Sequence, residues 1–221
     1  MIRKAHWIAV VALLALPAMS SADVTVNVGQ STEPWLGWMN VAELDGTPLW
    51  GNPWEVADLT AIFDDPGNTL TLGPAPIDDP DVYWYQGPGG PGVPGNKLME
   101  ANLYIEITDD ALAGQVMTFE GEVLSNTFTD DYEAYLFIKD FEPDFSAFIE
   151  TKIPIVPGPF SFSATLDPGL GRHIQYGTQV IGANVWPTDV DMFGHAVIGT
   201  IPEPTSLALL ALGGLALIRR R

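Results

Sequence analysis

Residues 101–124 read ANLYIEITDDALAGQVMTFEGEVL, and their rhythm decides the fold class. Leu103, Ile105 and Ile107 alternate with Tyr104 and Glu106; Met117, Phe119 and Val123 alternate with Thr118, Glu120 and Glu122. Successive side chains of a strand point to opposite faces, so period two with one apolar set predicts half-buried antiparallel strands. The same alternation recurs in AYLFIKDF (134–141) and in PFSFSATL (159–166), the latter through Phe160, Phe162 and Ala164. Further candidate strands are VTVNV (24–28), LGWMNVAEL (36–44), TLTLG (69–73), DVYWYQ (81–86), HIQYGTQVIGANVW (173–186) and HAVIGT (195–200).

Gly/Pro punctuation separates these runs at DDPGN (64–68), QGPGGPGVPGN (86–96) and DPGLG (167–171). About nine or ten short strands so punctuated predict an all-β domain, an antiparallel β-sandwich of jelly-roll or Greek-key type. One stretch, WEVADLTAIFDD (54–65), allows a short helix through Val56, Leu59 and Phe63. Gly87–Gly95 is a long loop inside one domain, because strand patterns flank it on both sides.

Both ends of the chain read as addresses. Arg3 and Lys4 precede the apolar stretch Trp7–Leu16, and Pro17 is followed by Ser20-Ser21-Ala22. That order is a secretory signal peptide over 1–22, with a signal helix and cleavage expected after Ala22. A domain over 23–200 follows, large enough for one core. All 28 acidic residues lie between Asp23 and Pro204, against only Lys97, Lys139, Lys152 and Arg172 there. Such a surface repels nucleic acid and anionic lipid, so neither is an expected partner. Cysteine is absent, which excludes thiol nucleophiles and zinc-thiolate sites.

Chemistry is sparse. His173 and His195 fit no nucleophile-elbow or metalloprotease spacing, and Asp189 and Asp191 beside His195 lack a serine in a recognisable motif. Glu120 and Glu122 share a strand face and read as a solvated edge. The body is therefore expected to be non-enzymatic. Acid pairs in turns, such as Asp64-Asp65, Asp78-Asp79-Asp81, Asp109-Asp110 and Asp130-Asp131, offer the oxygens that a structural Ca²⁺ would take, though none forms an EF-hand loop. Aromatics are in surplus. In DVYWYQ a strand would send Tyr83 and Tyr85 to one face and Trp84 to the other, so one set is a candidate platform for stacking a sugar ring.

The tail, residues 201–221, is IPEPTSLALLALGGLALIRRR. Its apolar run Ser206–Ile218 would make a helix about 20 Å long, short against a hydrocarbon core of about 30 Å. Terminal arginines hold their end cytoplasmic, which suits a transient membrane insertion. Pro202-Glu203-Pro204, the short transmembrane helix and the basic end together resemble the PEP-CTERM sorting signal. The resemblance implies export to the cell surface or extracellular matrix, and processing of the tail by an exosortase-like enzyme. The strand rhythm of the body, in 114–141 and 171–186, is similar to that of jelly-roll carbohydrate-binding modules, which implies a jelly-roll fold. The exported body is read as structural or carbohydrate-binding, with extracellular polysaccharide as its partner. A polysaccharide-degrading enzyme on the same scaffold is the alternative.

Overall fold

The computed structural model describes residues 24–200. Twelve strands are present among them. In chain order they are β1 (Val24–Asn27), β2 (Trp35–Glu43), β3 (Pro48–Trp54), β4 (Ala61–Asp64), β5 (Thr69–Leu72) and β6 (Lys97–Ile107). The remainder are β7 (Val116–Asn126), β8 (Glu133–Phe141), β9 (Phe148–Pro154), β10 (Gly158–Thr165), β11 (His173–Ala183) and β12 (Ala196–Gly199). They form two six-stranded sheets packed as a sandwich. The second sheet runs β3-β2-β6-β11-β8-β9 and is antiparallel throughout.

In the first sheet β7 is the hub. β10 lies along one side of it, while β1 and β12 share the other, followed outward by β5 and β4. The pairing of β1 with β7 is parallel, a departure from the wholly antiparallel expectation. The period-two reading of residues 101–124 is otherwise what places the core. Met117, Phe119 and Val123 of β7 face Met99, Leu103 and Ile105 of β6 across the interior. Phe119 meets Tyr176 of β11 at 5.4 Å between ring centroids, edge to face, which joins the two sheets.

Several expectations are corrected. Residues 81–86 are not a strand: Asp79 and Asp81 side chains accept from the backbone N–H of Asp81 and Tyr83, and the Trp84 N–H donates to the Asp81 carbonyl. Aspartates that bond their own backbone two residues on favour turns, and here they outweigh the aromatic alternation. The stretch 54–65 does hold a short helix, the single 3-10 turn Val56–Leu59, but Phe63 lies beyond it on β4. β3 and β9 were unexpected because Pro48, Pro53 and Pro154 interrupt them; both are edge strands, where a missing N–H is tolerated. No helix among the described residues is long and apolar enough to cross a membrane; the expected signal and tail helices lie outside those residues.

Candidate functional site

The outer face of the β3-β2-β6-β11-β8-β9 sheet carries the most organised chemistry of the described residues. Alternation sends Glu100, Asn102, Tyr104 and Glu106 of β6 outward. Register then sets them beside Gln175, Gly177 and Gln179 of β11, and beyond those Tyr135, Phe137 and Lys139 of β8. Trp38 and Asn40 of β2 flank one side, Glu150 and Lys152 of β9 the other.

These side chains interlock. Asn40 Nδ2 and Gln179 Nε2 each donate to Glu100 Oε1 at 2.9 Å, and Asn102 Nδ2 donates to the same oxygen at 3.2 Å. Gln179 Nε2 and Lys139 Nζ both donate to Asn102 Oδ1 at 3.0 Å, while Lys152 Nζ reaches Gln179 Oε1 at 3.3 Å. Trp38 Nε1 fixes Asn40 by donating to its Oδ1 at 2.8 Å. Glu150 stands 3.6 Å from both lysines. The relay thus spans five strands.

Outward side chains of a solvated sheet are normally open, but Asn102 and Gln179 are each only 3% exposed and Phe137 is fully buried. Lys139 Nζ sits 4.3 Å above the Phe137 ring and shields it. Burial pushes the Lys139 ammonium below its ordinary pKa, and the nearby Glu100 and Glu150 carboxylates oppose that shift. At Gly177, between Tyr104 and Phe137, an added Cβ would lie 2.0 Å from the Leu103 carbonyl oxygen, so the close approach of β6 and β11 requires glycine there.

Each end of this face is distinct. Beside Glu100 a cavity of about 470 Å³ is lined by Asn40, Leu98, Ile181, Leu49 and Trp50. With three amides on Oε1, the second Glu100 oxygen has no protein donor among the described residues. At the opposite end His173 Nδ1 lies 3.0 Å from Glu106 Oε1, and Gln175 Nε2 donates to Glu106 Oε2 at 2.8 Å. Phe145 covers His173 at 4.1 Å between centroids, held there with a left-handed φ of 57°.

The expected platform is rearranged. Tyr85 is buried and donates its hydroxyl to the carbonyls of Ile77 and Val185. Tyr83 is exposed and accepts from Trp50 Nε1 at 2.9 Å, with Lys97 Nζ 4.5 Å from its ring. Trp84 is half-buried and meets Tyr83 and Trp50 edge-on, at interplanar angles of 88° and 86°. Tyr83 and Trp84 therefore form an aromatic corner without Tyr85, and it touches the cavity through Trp50 rather than offering one flat face.

The turn acids do not converge. Asp65 accepts from the Ser31 hydroxyl and N–H, which lower its pKa, and Asp109 caps Ala111 N. Among the described residues no three His, Asp or Glu side chains come together as a metal site. His195 contributes its backbone, not its ring, to Thr127. The cations are committed as well: Lys97, Lys139 and Arg172 are buried against acids.

Fold and site together define a two-sheet β domain with one polar, aromatic-flanked outer face. Residues 200–221 match the PEP-CTERM protein-sorting motif, and Pro202, Glu203 and Pro204 lie within that match though outside the described residues. The chain therefore carries the signal by which an exosortase-type system sorts exported proteins and processes or anchors their C-termini. No curated protein and no solved structure matches the chain.

Proposed function

We propose that the domain is a non-enzymatic, exported carbohydrate-binding protein that holds a neutral polysaccharide on the outer face of the β3-β2-β6-β11-β8-β9 sheet. The supporting observation is the buried relay of Glu100, Asn102, Gln179 and Lys139 between aromatic side chains. Sugar hydroxyls need donors and acceptors fixed in place, and sugar rings need apolar faces; this surface offers both. Neutrality of the glycan follows from charge. The 28 acids oppose an anionic polymer, and the buried cations are already paired.

The arrangement of the glutamates favours binding over hydrolysis. A glycosidase pair faces itself across roughly 5–10 Å. Glu100 and Glu106 stand about 20 Å apart along one strand, and each is held by amide or imidazole partners. Export through the N-terminal signal, tail insertion, and display at the cell surface or in the matrix complete the reading.

Affinity electrophoresis of the purified protein in neutral and acidic polysaccharides tests it. Retardation by a neutral glycan is expected, with at least tenfold weaker binding for Trp38→Ala and Gln179→Ala. Retardation that neither substitution alters, or none in any neutral glycan, would overturn the assignment.

A further inference from the structure

We propose that, while the tail is inserted, the domain rests with its β7-centred sheet toward the lipid surface and the opposite, relay-bearing face turned away from it. The inference builds on the reading that residues 206–218 enter the membrane, and it concerns where the folded chain leaves the sandwich. Gly199, the last residue of β12, pairs with Glu122 of β7 and Thr69 of β5. On the same side of β7, Asn27 at the end of β1 pairs with Glu120. The two strands thus meet head to head, separated on β7 by Gly121 alone.

β1 blocks the path straight ahead in the sheet. On the inner side the core is closed, with Ile198 and Val28 buried. The chain therefore departs at Thr200 from the middle of this sheet, over its outer surface.

The tether is short. Five residues, Ile201–Thr205, separate Thr200 from the apolar run, and the six extended steps from Thr200 to Ser206 span at most about 21 Å. Turning the relay face to the lipid would take the tether past two neighbouring strands at about 4.8 Å each. It would then have to pass the 10 Å sheet separation and about 5 Å of outer side chains, about 25 Å in all. The nearer surface is the outer face of the β7-centred sheet, made by Thr25, Thr71, Thr118, Ser161 and Ser163 with Glu120 and Glu122. Its outward side chains include no basic group and only two well-exposed apolar ones, Ile62 and Leu124, so the tether, rather than affinity for lipid, sets the contact. A glycan can then occupy the relay face before the tail is processed.

The chain contains no cysteine, so single labels are unambiguous. Ser161→Cys on β10 and Glu133→Cys on β8 mark the two outer faces, and both positions are exposed. Each variant, as the chain from Asp23 to Arg221, is labelled with a fluorophore and reconstituted in phosphatidylcholine vesicles bearing a headgroup quencher. Quenching at 161 is expected to exceed that at 133 several-fold. A long Gly/Ser insertion after Thr200 should remove the difference. Equal quenching in vesicle-bound protein, stronger quenching at 133, or none at either position overturns the orientation. Failure to float with vesicles overturns the tail-insertion reading itself, and the orientation with it.

Discussion

The two outer faces of this sandwich obey the same alternation and have opposite characters. On the β7-centred sheet the outward residues are mainly short hydroxyls and acids, and outward Ile62 and Leu124 are 62% and 51% exposed. Across the core, Asn102, Tyr104, Gln175, Gln179, Phe137 and Lys139 of β6, β11 and β8 face outward yet are buried, although no third layer of secondary structure covers them among the described residues. A sheet needs only solubility from its outer face. Burying amides and an ammonium there brings desolvation costs that must be offset by near-complete hydrogen bonding. Folding alone gives no reason for such a surface; the binding role proposed above would.

The largest expected effect sets one outward apolar residue against another. Phe137→Ala should cost about 3–5 kcal/mol, the range of a core truncation, because the ring is fully buried beneath Lys139. Leu124→Ala should stay within about 0.5 kcal/mol. Urea unfolding measures both. Similar small losses at the two positions would erase the contrast between the faces.

Next comes polar burial. Gln179→Ala leaves Glu100 and Asn102 short of a donor and should cost about 1–3 kcal/mol, whereas Thr118→Ala should be near neutral. The paired Glu100→Gln and Gln179→Ala changes should also be non-additive, since both groups belong to one network. Additive losses would mean the relay is a set of independent contacts.

How much of this was legible in the sequence differs between the faces. The core was, because Phe119 and Met117 against Thr118 and Glu120 carry their own period. So were the short outward residues of β7. The relay was not. Gln179 and Glu100 are 79 positions apart, and only the register of β6 with β11 joins them; in sequence each is simply a polar residue at an outward position. DVYWYQ misled for the converse reason, a convincing local alternation overruled by Asp79 and Asp81 folding back on the backbone. The sorting tail was fully legible, because its motif, apolar run and basic end are contiguous.

The smallest expected effect asks whether the outer face of the relay sheet is as dry as its inner one. Tyr176 faces the core and Tyr104 faces outward, yet each is 8% exposed, and burial raises both phenols above their ordinary pKa, Tyr176 to about 12. A phenol ionises at about pH 10 in the unfolded chain. Between that value and the raised folded value the unfolded state binds fewer protons, so stability present below pH 10 is lost as pH rises. For Tyr176 the loss by about pH 10.5 is roughly 1 kcal/mol. Tyr176→Phe and Tyr104→Phe should each flatten the alkaline limb of the stability curve and remove one late-titrating phenol from the absorbance titration. A Tyr104→Phe variant that keeps the alkaline limb unchanged would mean that water reaches the outer face, and the distinction between the two surfaces would lose its physical basis.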